Sequence, residues 1–232
     1  MKYMWKDGFT ITDELDVIVD ELTTHQQVVG IFQGDSEIGP RALGNRSLLF
    51  NPTNCYAKDI MNTIKKREWY RPFAGSIMLD YAHDWFEMGT LEESPWMTYA
   101  IQSKEIAKRR VPSIVHVDGT CRIQTVTEEQ NPYYYKLIKK FHERILTEHE
   151  EGCPIIFNTS FNLKGEAIVE TLEDAMKTCE NGGIQFLYVP AWEDDELELP
   201  EEYKNPMKGI YHHLNKNDTL PDVEDSEALK NV

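Results

Sequence analysis

Apolar and polar positions divide this chain into short strands and amphipathic helices. Residues 12–27 set Leu15, Ile18, Val19 and Leu22 at helical spacing, one apolar stripe in a polar segment. Thr12 or Asp13 is the expected cap, and acids fill the first turn. VVGIF (28–32) is a continuous apolar run of strand length that ends in a glycine-rich loop, and SLLF (47–50) is another, closed by Asn51-Pro52. Residues 54–68 return to helical spacing with Ile60, Met61 and Ile64 inward. FAGSIML (73–79) reads as a strand, AHDWFE as a short helix or turn, and WMTYAI (96–101) alternates as a strand. In IVHVDGTCRIQTV (114–126) two β-rich runs flank Asp118-Gly119, which predicts a hairpin. Residues 131–149 form a long amphipathic helical pattern, and CPIIFN (153–158) a strand that runs into the polar loop TSFN. Residues 172–183 read as a helix stopped by Gly182-Gly183, and IQFLYV (184–189) as the last core strand. Helices and strands are interspersed, so the expected class is α/β or α+β with a mixed sheet.

Composition changes the picture little until charge is considered. Of 232 residues 41% are hydrophobic and 28% charged, enough to bury a substantial core. No apolar run approaches the ~18 residues that span a bilayer, and the N-terminal stretch lacks the pattern of a signal peptide, so a cytoplasmic, non-membrane protein is expected. Four widely spaced cysteines without a C-x-x-C fit reduced thiols. The formal charge is −16, and residues 190–232 carry half of it, with twelve acids against four lysines. The chain is therefore read as a domain over 1–189 and an acidic extension over 190–232. So negative a balance argues against a duplex nucleic-acid binder.

Against that background the cations are placed unusually. Neither G-x-x-x-x-G-K-[ST] nor G-x-G-x-x-G is present. Instead, basic residues recur beside stiff Gly/Pro turns: Arg41 and Arg46 in GDSEIGPRALGNRS (34–47), Lys65, Lys66, Arg67 and Arg71 in IKKREWYRPF (64–73), and Arg122 after the turn in HVDGTCR. Arginine presents a planar fork that matches phosphate oxygens, lysine a point charge, and glycines admit close approach of main-chain N–H groups to an anion. Arg67, beside Glu68, reads as an ion-paired surface residue. In NTSFN (158–162), Asn158, Ser160 and Asn162 suit a small planar amide or a phosphate, or equally an Asx or Ser turn. His116 and Asp118 alternate on one strand face, as a metal pair, a phosphate-contact pair, or a satisfied structural histidine with its neighbour. No nucleophile elbow supports a serine triad, and Cys121 is the one cysteine in a glycine-containing turn.

Taken in order, QGDSEIGPRALGNRSLL, IMNTIKKREWYRPFAGSI, SPWM, IVHVDGTCRIQTV, NPYYYKLI, GCPIIFNTSFNLKGEAIVET and DAM resemble the C-terminal half of the nodulation and antibiotic-tailoring O-carbamoyltransferases, over roughly residues 28–189. The resemblance implies a twisted mixed sheet flanked by helices, like the YrdC/Sua5 domain. It also implies formation of carbamoyl-adenylate from carbamoyl phosphate and ATP, with Mg²⁺ helping to neutralise the phosphates. Arg41, Arg46, Lys65, Arg71 and Arg122 would serve the phosphates, with His116, Asp118, Asn158, Ser160 and Asn162 as substrate-binding positions; no residue is assigned to a metal. The family's preceding domain, similar to the Kae1-like proteins, carries the hydroxyl acceptor, and the sequence lacks that domain's metal-binding histidines and aspartates. A separate Kae1-like subunit is the expected partner. The alternatives are a non-catalytic nucleotide-binding or regulatory module, and a YrdC-like protein that meets RNA through the basic segment at 104–110.

Overall fold

In this computed structural model the described residues are 4–6, 9–149 and 151–190. All but the first residue of the acidic extension lies outside them. The strands are β1 (Met4–Lys6), β2 (Phe9–Thr12), β3 (Val29–Phe32), β4 (Arg46–Phe50), β5 (Ala74–Met78), β6 (Ala100–Gln102), β7 (Thr120–Val126), β8 (Ile155–Ser160) and β9 (Phe186–Tyr188). They form one sheet in the order β1-β2-β9-β3-β4-β8-β5-β7-β6. The β2–β9, β3–β9 and β5–β7 pairs are parallel, and the other five are antiparallel. This is the mixed sheet expected from the interspersed pattern. The central strands β3 and β4 are buried at every position, which explains why they read as unbroken apolar runs rather than alternating ones.

The helices are α1 (Leu15–Thr23), α2 (Ala57–Ile64), α3 (Leu79–Trp85), α4 (Glu105–Arg110), α5 (Pro132–Glu148) and α6 (Leu172–Gly182). α1 buries Ile18, Val19 and Leu22, and α5 buries Tyr134, Leu137, Ile138, Phe141 and Ile145, a stripe that follows the helical repeat. The two helices lie side by side, with Lys140 reaching Asp16 at 2.9 Å and Arg144 paired with Asp20 at the solvent edge. Asn131 caps α5, its side chain accepting from the Tyr134 N–H. Thr171 and Asp174 make a reciprocal capping box on α6, and Gly183 ends that helix in the left-handed region at φ 64°. Among the described residues no helix is long and apolar enough to cross a membrane.

Several expectations need correction. Residues 9–12 form β2, an edge-side strand beside β9, and helix α1 starts only at Leu15. The Thr12 hydroxyl does accept from the Glu14 N–H at 3.0 Å, but it is no cap of the helix itself. The helix over 54–68 contracts to Ala57–Ile64, because the chain turns at Lys66 with φ 52°. The strand at 96–101 survives only from Ala100. The hairpin at Asp118-Gly119 fails as a hairpin. A tight turn is present, with the Gly119 N–H donating to the His116 carbonyl at 2.9 Å, but Pro112–Ile114 is a 3-10 turn. β7 pairs instead with β5 and β6.

Candidate functional site

The site is set by a row of residues across four strands. Arg122 on β7 lies opposite Ala74 on β5, which lies opposite Asn158 on β8, which lies opposite Leu49 on β4. Directly opposed residues share a face, so Arg122 and Asn158 stand on the same side about 10 Å apart, two strand spacings, with only the Ala74 methyl between them. Above that row opens a cleft of about 570 Å³, its mouth included, lined by residues that include Arg41, Arg67, His116, Arg122, Asn158 and Ser160.

Among the described residues three arginines line the cleft and no carboxylate does. Arg41 sits in the loop over the β4 side, its pKa lowered first by burial and then by the nearby charge of Arg122. The Arg122 Nε is buried with no hydrogen-bond partner among the described residues. Arg67 follows the end of α2. Its Nε donates to the Asn62 Oδ1 at 2.8 Å, its plane lies 4.3 Å from the centre of the Phe73 ring, and its Nη2 is buried without a partner among the described residues. Burial, then the Arg71 charge, bring the Arg67 pKa down to about 10 against the pull of Glu68. Like charges are thus held together and left partly unsatisfied in a −16 chain, an arrangement that a bound anion would stabilise.

His116 is fixed on two sides. Its Nε2 lies 3.1 Å from the Phe73 carbonyl, which only accepts, so that nitrogen carries a proton; its Nδ1 lies 3.2 Å from the Thr120 Oγ1. Asp118 does not line the cleft. It is exposed, and its Oδ1 accepts from the Thr120 N–H at 2.9 Å and hydroxyl at 2.8 Å, bonds that lower its pKa. His116 and Asp118 thus share a turn rather than a strand face.

The remaining expected residues divide by what satisfies them. Arg46 does not reach the cleft. It is 4% exposed, lies 3.7 Å from the Phe32 ring centre, and donates to the carbonyls of Gln33, Gly34, Asn45 and Glu170, pinning the glycine loop from inside. Three of that loop's main-chain donors are also taken. Glu37 accepts through one oxygen from the N–H groups of Leu43 at 2.6 Å, Asn45 at 2.8 Å and Arg46 at 3.4 Å. An internal carboxylate therefore fills the nest that the glycines would have offered to a ligand.

Lys65 is likewise turned inward. Its Nζ donates to the Ser160 carbonyl at 2.6 Å and to the Asn162 carbonyl and side-chain oxygen at 2.8 and 3.0 Å. Burial, then the Arg67 charge, bring its pKa down to about 7, opposed by Glu166. Asn162 is consumed by this knot, its Nδ2 donating to the Glu166 carbonyl, while the Ser160 hydroxyl donates to Asn162 at 2.7 Å and still borders the cleft. Arg71 pairs with Glu68 at 2.8 Å beside Arg67, outside the lining. The Cys121 thiol is wholly buried, and that burial pushes its pKa up, so it offers no nucleophile.

Of the residues expected from the sequence, the structure brings Arg41, Arg122, His116, Asn158 and Ser160 into one lining, and it adds Arg67, which had been read as an ion-paired surface residue. The signal was present: Glu68 has Arg71 at i+3, a better-placed partner than its immediate neighbour, which leaves Arg67 unclaimed.

The profile of the Carbamoyltransferase C-terminus family matches residues 20–193. Nodulation protein NolO of Bradyrhizobium diazoefficiens is 44% identical over 154 residues, 65% of this chain and 27% of that protein. Nodulation protein NolNO of Sinorhizobium fredii is 43% identical over 167 residues, 71% and 24% respectively. The 3'-hydroxymethylcephem-O-carbamoyltransferase of Streptomyces clavuligerus is 36% identical over 163 residues, 70% and 29%. Among solved structures, full-length HypF in its phosphate- and nucleotide-bound form superposes with a TM-score of 0.52 at 18% identity, covering 75% of this chain and 24% of that one. That likeness is one of fold, and it bears out the YrdC-like class of mixed sheet. The chain spans about a quarter to a third of the length of these curated relatives. With most of its described residues inside the match and the site's row of residues among them, this chain belongs to the carbamoyltransferase C-terminal family.

Proposed function

We propose that this domain binds ATP and carbamoyl phosphate in the Arg41–Arg67–Arg122 cleft and joins them as carbamoyl-adenylate, for transfer to a hydroxyl acceptor by a separate Kae1-like subunit. One observation carries the reading: three arginines line a cleft that contains no carboxylate among the described residues, in a strongly acidic chain. Two phosphorylated ligands bring several negative charges to one place, and fixed cations in a partly desolvated cleft are what offset that repulsion. The chemistry requires no covalent nucleophile. Loss of inorganic phosphate from carbamoyl phosphate, with water, leaves a carbamate; its oxygen then attacks the α-phosphorus of ATP and pyrophosphate leaves. The attacking oxygen is already anionic, so a cleft without a carboxylate base suffices, and the arginines stabilise charge that grows on the phosphoryl oxygens. The HypF structure that shares the fold carries phosphate and nucleotide, in keeping with this assignment.

The lining residues do not fit a resident Mg²⁺, which takes anionic and carbonyl oxygens; none of them is acidic, and no cluster of three His, Cys, Asp or Glu is found among the described residues. No step is therefore assigned to a protein-held metal. A partner subunit is supported by the surface around the cleft. Trp69, Tyr70, Trp96 and Tyr99 are all more than half exposed, and each lies within three residues of a lining residue. Large exposed aromatics in such a position favour coverage by another chain.

The RNA reading loses support from the segment that suggested it. Lys108 pairs with Glu105, Arg109 and Arg110 pair with Glu151, and Lys104 donates to the His83 carbonyl. The decisive assay follows exchange of labelled pyrophosphate into ATP with carbamoyl phosphate present. Exchange that depends on carbamoyl phosphate is expected. ATP binding without exchange, alone and with a Kae1-like partner, overturns the catalytic reading in favour of a nucleotide-binding module.

A further inference from the structure

The cleft holds one group that an anion cannot satisfy. Asn158 is 1% exposed, and its Oδ1 is buried without a hydrogen-bond partner among the described residues. The orientation of this amide is dictated by its neighbours. Its Nδ2 donates to the Ala42 carbonyl at 3.2 Å and to the Ser76 Oγ at 2.9 Å. Ser76 in turn donates to the Gln124 Oε1 at 2.7 Å, and the Gln124 Nε2 donates to the Leu43 carbonyl at 2.8 Å. Both ends of this relay are main-chain carbonyls, which can only accept. Every bond in it therefore has a fixed direction. Turning the Asn158 amide over would set oxygen against the Ala42 carbonyl oxygen. The unpaired end of the relay, the buried Asn158 Oδ1, is thus an acceptor, held at the sheet row that also carries Arg122 and belonging to a residue that lines the cleft.

An acceptor among guanidiniums is a selective arrangement. The three arginines recognise phosphate oxygens on any phosphorylated ligand. Asn158 Oδ1 gains nothing from those oxygens, whereas an N–H or O–H on the same ligand would satisfy it. The sequence suggested Asn158, Ser160 and Asn162 for an amide or a phosphate, and of these Ser160 and Asn162 are engaged with Lys65. Resting on the carbamoyl phosphate reading above, we infer that Asn158 is the specificity-determining residue that reads the carbamoyl NH₂, separating carbamoyl phosphate from acyl phosphates of the same shape and charge. Acetyl phosphate replaces that NH₂ with a methyl group and leaves the oxygen unpaired.

The Tyr134 hydroxyl lies near Ser76 and Asn158 but forms no well-placed bond with either, so it is the rival donor for this oxygen. The test compares carbamoyl phosphate, acetyl phosphate and inorganic phosphate on the whole chain by titration calorimetry. The wild-type protein is expected to bind carbamoyl phosphate at least ~tenfold more tightly than acetyl phosphate. That ratio falls to about one in Asn158→Leu, and it persists in Tyr134→Phe. Equal affinity for the two acyl phosphates in the wild type overturns the inference while leaving the anion site standing. No binding of any of the three, inorganic phosphate included, removes the anion site itself. Loss of selectivity in Tyr134→Phe assigns the role to Tyr134 and overturns it for Asn158. Should Asn158→Leu fail to fold, the wild-type ratio and the Tyr134→Phe variant still decide.

Discussion

Replacing Arg122 by alanine separates a group held for a ligand from a group held for the fold. In the free protein this guanidinium contributes little to stability. Its Nε is buried and unsatisfied among the described residues, its charge lowers the Arg41 pKa, and no acid lines the cleft to offset it. A buried donor left without a partner costs about 1–3 kcal/mol. Its removal balances the loss of the aliphatic stem, whose partial burial is worth about 1–2 kcal/mol. The net change in stability is therefore expected within about 1 kcal/mol of zero, or roughly 2–4 °C in Tm for a domain of this size. Toward a phosphate the same group makes charge-assisted bonds worth about 1.5–3 kcal/mol, which corresponds to a loss of roughly 10–150-fold in affinity. Thermal denaturation and calorimetric titration with ATP and pyrophosphate measure the two quantities on the same preparation. Arg122→Lys keeps the charge without the fork and is expected to fall between wild type and alanine. A drop of more than about 8 °C in Tm with anion affinity within twofold of wild type would refute the reasoning, because Arg122 would then be holding the sheet rather than a ligand.

Two further outcomes follow from the groups that support the cleft. Glu37→Ala leaves the N–H groups of Leu43, Asn45 and Arg46 without their shared acceptor, and should cost about 2–3 kcal/mol in urea unfolding while weakening phosphate binding through the loop that carries Arg41; unchanged stability would show that water replaces the carboxylate without cost. Lys65 has a folded-state pKa of about 7, below its unfolded value of 10.5, so unfolding takes up a proton between those values and stability rises with pH across that window. This rise should be absent in Lys65→Met when Tm is compared at pH 7 and pH 9; an identical pH slope in the two proteins would place the titration elsewhere.

The outcome at individual elements shows where local pattern suffices. The stripe on α5 and the glycine stop of α6 are written in residues close together in the chain, and they fold as read. β3 and β4 are equally legible because a strand buried on both faces needs apolar residues at every position. The turn at Asp118-Gly119 was legible as a turn. Its reading as a hairpin failed because strand partners are chosen by the sheet, and β7 finds β5 and β6 there. β2 was missed for a related reason: this four-residue strand joins the sheet through β9, which lies more than 170 residues away in the chain.

The site repeats this division. Residue types alone decided that the chain carries cations on stiff turns and amide side chains after a buried strand, and their order was enough to identify the family. They could not decide where each cation ends. Arg41 and Arg46 lie in one loop, yet Arg46 is spent on four main-chain carbonyls and Arg41 faces the cleft with Arg122. Lys65 and Arg67 stand two residues apart, and a left-handed turn between them sends one to the Ser160–Asn162 knot and the other to the cleft. A charged side chain is satisfied by whichever acceptors the folded chain brings within about 3 Å, and those acceptors come from residues remote in sequence. The sequence by itself determined which charges and amides exist and which segments bury. Only the tertiary structure decided which of them the protein consumes internally and which it leaves for a ligand.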